Sequence, residues 1–322
     1  LDLLDAWLGR PAGTDPWRSV EQAVARRQAV EVVADAQELG LAVARVVTAR
    51  EAADDDQARA RHQPFPMHPF LLDGRPPAPP PARVEGDAGG PATPPSTGPR
   101  RLADTHVVDL SSLWAGPLAT SLLADAGAEV VKVESTGRPD GARRGDRAFF
   151  DLLNAGKRSV ALDLPDPKAV AVLQALVDGA DLVVEGSRPR ALDQLGIVRH
   201  RRWVALTAYG ASGPWRQWSG FGDDAAVAGG LVGGSPQAPA FYGDAIADPV
   251  AGLHAAVAGL AVLVGAPASV DLALREVVNH VIGVAPPGPM PAAGVRRVRP
   301  GRAPALGEAV PDGRGAGTRV AR

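Results

Sequence analysis

The chain has 322 residues with 34 basic and 36 acidic side chains, and its net charge of −2 gives no reason to expect binding to nucleic acid or to an anionic membrane. It contains no cysteine, which excludes disulfides, thiolate metal ligands and cysteine nucleophiles. Its 37 glycines and 31 prolines make up about a fifth of the chain, against roughly an eighth in average usage. Because 45% of the residues are hydrophobic, we expect folded domains that are separated by segments rich in glycine and proline.

The N-terminal region predicts a helix followed by a strand. Ser19 and Gln22 have the spacing of a capping box, apolar residues recur with helical periodicity over 19–39, and Gly40 would end the helix. The apolar run at 41–47 is typical of a strand.

Two segments have the composition of linkers rather than of folded domains. Residues 64–101 are rich in proline and glycine, and this predicts an extended connection. Residues 283–322, rich in proline, glycine and arginine, predict a flexible tail with little packed structure.

Between these segments, residues 102–282 alternate short apolar strands with helices. This alternation predicts an α/β domain with a Rossmann-like, open and mostly parallel sheet, flanked by helices, beside a small N-terminal α/β segment. Ligands of such sheets bind at the carboxyl ends of the strands. The predicted strands are 106–110, 129–133, 181–185 and 203–208, and the predicted helices are 119–126, 166–177 and 190–195.

A cytoplasmic location is expected because the N-terminus lacks both a basic region and a long apolar run of the kind found in signal peptides. The apolar run at 249–268 approaches the length of a membrane span, but it is rich in alanine and glycine and contains His254. We therefore interpret it as a buried helix of a soluble domain, with no membrane partner.

Several common chemistries lack their sequence signals. The sequence has no phosphate-binding loop of the Gly-x-x-x-x-Gly-Lys-Ser/Thr type, no Gly-x-Gly-x-x-Gly after the first strand of the domain, no His-Glu-x-x-His and no Gly-x-Ser-x-Gly. The six histidines are scattered, so we expect no metal site.

Carboxylate chemistry remains, and Asp248 is the candidate. The structural interpretation is that Asp248 caps the apolar helix and that Pro249 occupies its first turn. The functional interpretation is compatible with the first: the helix dipole and free amides would keep the carboxylate ionised, which suits a nucleophile.

A series of motifs then follows in chain order. They are Val108 to Glu134 with its Ala-Gly-Pro, Leu153 to Leu164, Asp181 to Pro189, Tyr209 to Pro214, the Asp248 segment, and Val270 to Leu272. This series resembles one family, the class III CoA-transferases, which includes formyl-CoA transferase, carnitine CoA-transferase and α-methylacyl-CoA racemase. The order of the motifs makes the resemblance specific.

The resemblance implies the transfer of coenzyme A from an acyl-CoA donor to a carboxylic acid acceptor, with Asp248 as the catalytic nucleophile. Coenzyme A would be a substrate, and no cofactor would be permanently bound. Leu162 and Leu164 would contact the adenine of coenzyme A, although packing in the core explains these leucines equally well. Arg188 would contact phosphate, Trp114 would line the site, and the family also implies a homodimer.

Two departures from the family pattern bear on the reaction. Phe221 stands where racemases of the family carry a histidine, and because phenylalanine cannot move a proton, transfer is favoured over racemisation. Trp114 stands where formyl-CoA transferase has a glutamine, which indicates a more apolar acyl pocket. An acyl-CoA racemase or dehydratase-like enzyme, and a CoA-binding homologue without activity, remain the alternatives.

The N-terminal region extends the resemblance. Residues 30–55 resemble a late segment of the family's small domain, although here they precede the large domain. The sequence thus predicts a partial small domain at 1–63, a linker at 64–101, the large domain at 102–282 and a tail at 283–322.

Overall fold

The computed structural model describes residues 2–62, 67–75, 102–186, 191–200, 202–235, 237–265, 268–284 and 301–308. Its helices are α1 (Asp2–Leu8), α2 (Pro16–Val24), α3 (Ala29–Glu38), α4 (Ala49–Ala53), α5 (Asp56–His62), α6 (Ala115–Asp125), α7 (Arg147–Asn154), α8 (Pro167–Asp178), α9 (Ala191–Gln194), α10 (Gly222–Ala228), α11 (Ala247–Val264) and α12 (Leu274–Val284). Its strands are β1 (Leu71–Leu72), β2 (His106–Leu110), β3 (Glu129–Ser135), β4 (Arg158–Leu162), β5 (Leu182–Glu185), β6 (Trp203–Thr207), β7 (Gly233–Ser235), β8 (Ala238–Ala240) and β9 (Ser269–Ala273).

The central sheet contains seven of these strands in the order β1-β9-β6-β5-β2-β3-β4. Neighbouring strands pair in parallel, except that β1 is antiparallel to β9 at one edge. Val107 of β2 lies opposite Val130 of β3 and Leu182 of β5, so the predicted apolar strands form the middle of the sheet. The predicted open, mostly parallel sheet with flanking helices is confirmed.

The core lies on both faces of this sheet, because successive side chains of a strand point to opposite faces. Val107 packs in a cluster with residues of α6 and α11, whereas its neighbour Val108 packs on the other face with Leu173 and Val177 of α8. The helices α6 and α11 therefore share one face of the sheet, and α8 covers the other.

The N-terminal region differs from the prediction. The helix expected at 19–39 is divided into α2 and α3, and Asp15 rather than Ser19 caps α2, since the Asp15 carboxylate accepts a hydrogen bond from the Arg18 backbone N–H at 3.1 Å. Ser19 instead lies inside α2, where its hydroxyl donates to the Ala12 carbonyl at 2.8 Å.

The strand expected at 41–47 is wrong. These residues have no regular secondary structure, and the Val43 carbonyl accepts its hydrogen bond from the Gln37 side chain at 2.9 Å rather than from a neighbouring strand. The described part of the segment before residue 63 is thus helical and not α/β, because the apolar run has no strand beside it to complete a ladder.

The N-terminal helices dock on the central domain through buried polar contacts. Arg61 of α5 lies 2.6 Å from Asp271 of β9 and 2.6 Å from Glu276 of α12, with the side chains of Arg61 and Glu276 fully buried. Gln57 donates to the Tyr209 carbonyl at 2.6 Å, and so holds the loop that follows β6.

Parts of the expected linker and tail are packed. Leu71 of β1 lies within the linker expected at 64–101, yet it is buried and pairs with β9. In the tail expected at 283–322, Ala303 is buried, and its backbone N–H donates to the Asp151 carboxylate of α7 at 2.8 Å. Residues 76–101, 285–300 and 309–322 lie outside the described residues.

Helix α11 is the apolar run that approached the length of a membrane span. Among the described helices it alone is long and apolar enough for such a span, but half of it is buried inside the fold. It packs along α6, where a Cβ at Gly252 would lie only 2.7 Å from the Ala115 carbonyl oxygen. The expected buried helix is therefore present, and its close contact with α6 sets the geometry of the candidate site.

Candidate functional site

Asp248 lies in the first turn of α11, which begins at Ala247. The helix cap expected at Asp248 is wrong, because Ile246 occupies the capping position and the Asp248 backbone N–H donates to the Ala245 carbonyl at 2.9 Å. The Asp248 carboxylate instead forms hydrogen bonds with the backbone of Ala115 and Gly222, which begin α6 and α10. Three helix starts thus converge on one carboxylate.

Burial controls the ionisation of Asp248. It raises the pKa of the carboxyl to about 6, and the charges of Asp224 and Asp223 act in the same direction, whereas the two backbone hydrogen bonds lower the pKa by less. The sequence led us to expect that the helix start would favour the ionised form, but burial outweighs this effect. At neutral pH the carboxylate is still mostly ionised, and it is more basic than an ordinary aspartate.

Two neighbouring aspartates brace the loop around Asp248. The Asp223 carboxylate accepts a hydrogen bond from the Ala245 backbone N–H at 2.7 Å, and Ala245 has a φ of 45°, in the left-handed region. The Asp224 carboxylate accepts from the Phe221 N–H at 2.7 Å, and burial raises the pKa of Asp224 to about 6. These contacts fix the start of α10 against the turn that precedes Asp248.

Gly222 allows the closest approach in this loop. A Cβ at this position would collide with the Asp248 carboxylate and would lie 2.7 Å from the carbonyl carbon of Ala245. Any larger residue would displace the carboxylate, so the site depends on a glycine at position 222.

The opposite side of the site is formed by the loop at 111–114, between β2 and α6. Leu113 has a φ of 68°, and its backbone N–H donates to the Asp140 carboxylate at 3.0 Å. The next residue, Trp114, is half-buried and packs its ring edge-on against Phe149, with ring centroids 5.1 Å apart. Trp114 therefore directly precedes the Ala115 backbone that contacts Asp248.

The two leucines expected to contact coenzyme A, Leu162 and Leu164, do not lie on the same face of the sheet as Asp248. Leu162 is 8% exposed at the end of the edge strand β4, and the half-buried Leu164 packs against the same core cluster. This cluster contains Val108, so it lies on the face of the sheet opposite α11 and Asp248. Arg188 lies outside the described residues. A contact of either leucine with adenine stays a prediction.

A buried ion pair between Lys157 and Asp109 had no role in the sequence-based prediction. Lys157 lies 3.0 Å from Asp109 of β2, and the Thr120 hydroxyl of α6 donates to the same carboxylate at 2.7 Å. Burial, with the charge of Lys132, lowers the pKa of Lys157 to about 8; Lys157 and Lys132 outweigh burial at Asp109 and hold its pKa below its usual range. Both residues lie in the recognised motifs, but only the folded chain shows that they meet.

The described residues contain no group of three or more histidine, aspartate or glutamate side chains that could hold a metal ion. The polar groups that shift the pKa of Asp248 are the backbone groups of Ala115 and Gly222 and the carboxylates of Asp223 and Asp224. This arrangement suits attack by a carboxylate on an activated carbonyl compound, a reaction that requires no metal.

Comparison with known proteins identifies the family to which the sequence is similar. The sequence profile of CoA-transferase family III matches residues 102–304, which include β2, α6 and α11. Three curated relatives are similar. Succinyl-CoA–D-citramalate CoA-transferase of Chloroflexus aurantiacus is 33% identical, and the match covers 51% of this chain and 46% of the relative. Succinyl-CoA:glutarate CoA-transferase of Homo sapiens is 32% identical, with 48% of this chain and 39% of the relative covered. Formyl-CoA:oxalate CoA-transferase of Rhodopseudomonas palustris (strain HaA2) is 32% identical, with 49% of this chain and 41% of the relative covered. The matched part spans less than half the length of each of these relatives.

Solved structures agree with the sequence comparison. A CaiB/BaiF family protein from Brucella suis is 28% identical with a TM-score of 0.51, and the match covers 57% of this chain and 56% of that one. A hypothetical protein from Mycobacterium tuberculosis is 31% identical with a TM-score of 0.52, covering 57% and 58%.

Proposed function

Because the chain belongs to CoA-transferase family III, we propose that it transfers coenzyme A from an acyl-CoA donor to a carboxylic acid acceptor. The names of the three curated relatives support this assignment, since each is a CoA-transferase. The observation that carries the proposal is the Asp248 carboxylate, which is partly buried, held by two backbone hydrogen bonds and raised in pKa to about 6.

Asp248 acts as the nucleophile in this proposal. One carboxylate oxygen attacks the thioester carbonyl carbon, the carbon–sulfur bond breaks, and coenzyme A leaves as a thiolate, so that a mixed anhydride forms on Asp248. The thiolate then attacks the aspartyl carbonyl and releases the donor acid, which leaves an aspartyl-CoA thioester. The acceptor carboxylate attacks this thioester to give a second anhydride, and the thiolate returns to the acceptor acyl group, so that Asp248 is regenerated.

The environment of Asp248 suits each of these steps. Partial desolvation makes the carboxylate more basic and therefore a better nucleophile than an exposed aspartate. The backbone groups of Ala115 and Gly222 are fixed before the reaction and hold one orientation of the carboxylate.

The rest of the substrate site follows from the family. We infer that Leu162, Leu164 and Arg188 contact the nucleotide part of coenzyme A and that Trp114 lines an apolar acyl pocket. No permanently bound cofactor takes part, the partners are an acyl-CoA and a carboxylic acid, and the protein works as a cytoplasmic homodimer.

Asp248→Asn tests the proposal. The amide keeps the shape of the side chain but is not a nucleophile, so transfer of coenzyme A between an acyl-CoA and a carboxylic acid is expected to fall at least about a thousandfold. The matched control is Asp244→Asn, which changes an exposed carboxylate in the turn before α11 and is expected to keep activity within about twofold. Transfer retained by Asp248→Asn would remove the assignment.

The same assays separate the two alternatives. Exchange of the α-hydrogen with deuterated solvent, without transfer of coenzyme A, would indicate a racemase or dehydratase-like enzyme. Tight binding of coenzyme A in calorimetry, with no turnover of a panel of acyl-CoA compounds, would indicate a binding homologue without activity.

A further inference from the structure

We propose that the buried ion pair between Lys132 and Asp140, called the clamp below, holds the loop at 111–114 in place. By fixing this loop, the clamp orients the Ala115 backbone toward the Asp248 carboxylate. The inference rests on the proposed function, because it concerns how the nucleophile is held. Neither Lys132 nor Asp140 would touch the substrate.

The clamp holds the loop at two points. Lys132 Nζ donates to the Ser111 carbonyl at 2.9 Å and lies 2.9 Å from Asp140 Oδ2. The other oxygen of the carboxylate, Asp140 Oδ1, accepts a hydrogen bond from the Leu113 backbone N–H at 3.0 Å. One ion pair thus binds a carbonyl and an amide that lie on either side of Ser112.

The sheet places Lys132 where the clamp needs it. Lys132 of β3 lies opposite Asp109 of β2 in the parallel register, so its side chain lies beside the carboxyl end of β2, where Ser111 begins the loop. Lys132 is 1% exposed, and the charges of Asp109 and Asp140 outweigh burial and raise its pKa. It therefore remains a cation at neutral pH.

Asp140 is itself fixed by further contacts. Its backbone N–H donates to the Glu134 carboxylate at 2.9 Å, and Arg143 holds the other oxygen of Glu134 at 2.6 Å. Asp140 also accepts from the Ala142 N–H at 3.0 Å and is 2% exposed. A buried pair that is held on both sides permits little movement, and breaking it leaves an uncompensated buried charge.

The loop needs such a clamp because Leu113 adopts a left-handed φ of 68°. A non-glycine residue in this conformation persists only where its surroundings impose it. The bend at Leu113 leads directly into α6, whose first backbone N–H groups have no partner within the helix and are free to bind a carboxylate. Ala115 is the first residue of α6.

Contact between the helices places Ala115 beside Asp248 independently of the hydrogen bond. A Cβ at Gly252, one turn after Asp248 in α11, would lie 2.7 Å from the Ala115 carbonyl oxygen. The start of α6 and the first turns of α11 are thus in direct contact, and a displacement of the loop would move the Ala115 backbone relative to the carboxylate.

If the Lys132–Asp140 pair positions Ala115, breaking the pair should change the pKa of Asp248, which a purely structural role would not do. The Ala115 hydrogen bond lowers the pKa of Asp248, so its loss would raise that pKa further. Damage to the clamp should therefore shift the acid limb of the activity profile to higher pH, whereas a general loss of stability should lower the amount of active protein at every pH.

The test is the pH profile of kcat for Asp140→Asn, which keeps an oxygen near Leu113 but removes the charge that faces Lys132. We expect the acid limb to move to higher pH, kcat at neutral pH to fall about tenfold, and KM for the acyl-CoA to stay within about twofold. The matched control is Arg158→Met. It breaks a partly exposed ion pair between β4 and β3, in which Arg158 lies 2.7 Å from Glu129, and it should leave the pH profile of kcat unchanged.

Where Asp140→Asn does not fold, the charge-neutral double variant Lys132→Met/Asp140→Leu removes the clamp without leaving a buried charge. The same shift in the acid limb is expected, together with faster hydrogen exchange in peptides that contain Ala115. A folded variant whose acid limb and exchange match those of the parent overturns the inference. Activity in Asp248→Asn contradicts the proposed function instead, so the two failures are distinguishable.

Discussion

At the scale of single residues, the protonation of Asp248 decides what the site can do. Burial and the charges of Asp223 and Asp224 favour the neutral acid, while the backbone hydrogen bonds from Ala115 and Gly222 favour the carboxylate. The balance gives a pKa of about 6, so the carboxylate form predominates at neutral pH and is lost on acidification.

The pH dependence of transfer follows from this balance. In the proposed mechanism only the ionised Asp248 attacks the thioester, so kcat should fall as the pH decreases through about 6. Asp224→Asn removes a neighbouring negative charge, so the pKa of Asp248 should decrease and the acid limb should move to lower pH. Asp244→Asn, which changes an exposed carboxylate in the turn before α11, is the control. An acid limb that stays in place in Asp224→Asn would show that Asp224 does not influence the pKa of Asp248.

The sequence predicted Asp248 but not its surroundings. The family motif and the Asp-Pro pair identified the aspartate, whereas its partners are backbone groups of Ala115 and Gly222, which have no side-chain signature. Leu113 and Ala245 adopt positive φ although neither is glycine or asparagine, so no local pattern indicated the two bends that frame the site.

At the scale of elements, the contact between α6 and α11 positions the site. Gly252 allows the two helices to approach closely at Ala115. A Cβ built at position 252 would lie 3.0 and 3.1 Å from two side-chain atoms of Leu118. A side chain at 252 would have to push α6 away from α11, and that movement would separate the Ala115 backbone from Asp248.

Gly252→Ala tests this contact. We expect a loss of about 1–3 kcal/mol in the free energy of unfolding from overpacking, and a lower kcat in the protein that remains folded. Gly283→Ala in α12 is the control, because among the described residues no atom outside its own helix turn lies within 4 Å of its new Cβ, and it should be neutral or slightly stabilising. Equal urea-unfolding curves for the two variants would show that α6 and α11 are not in tight contact at Gly252.

Elements with a strong apolar pattern were predictable, and the others were not. The strands β2, β3, β5 and β6 each contain adjacent β-branched or other apolar residues, such as Val107 and Val108 in β2, and their predicted bounds differ from the structure by two residues at most. The apolar run at 41–47 failed as a strand because a strand requires a partner, and pairing is set by the tertiary fold. We did not predict β4, which contains the charged Arg158 and lies at the sheet edge.

At the scale of the whole molecule, the N-terminal helices and the central domain are joined by buried charges. Arg61 of α5 has a fully buried side chain that contacts Asp271 and Glu276, and it also donates to the Ser212 hydroxyl at 2.8 Å. Composition predicted a separate N-terminal segment, but not these contacts, since each pairs residues that are distant in the sequence.

Arg61→Met should therefore be strongly destabilising. It leaves Asp271 and Glu276 without their cation, and we expect a loss of about 3–5 kcal/mol in the free energy of unfolding, measured by urea denaturation. Arg59→Met is a matched control in the same helix, because the ion pairs of Arg59 with Asp54 and Asp56 are exposed, and it should change stability by less than about 1 kcal/mol. Similar losses of unfolding free energy in both variants would show that the buried ion pairs of Arg61 do not hold the N-terminal helices on the central domain.

The proposed function depends on covalent acylation of Asp248, which chemical trapping detects directly. The protein is mixed with an acyl-CoA, hydroxylamine is added, and the digested peptides are analysed by mass spectrometry. We expect a hydroxamate on Asp248 in the parent protein and none in Asp248→Asn. Transfer of coenzyme A with no adduct at Asp248, or with the adduct on another residue, would contradict it.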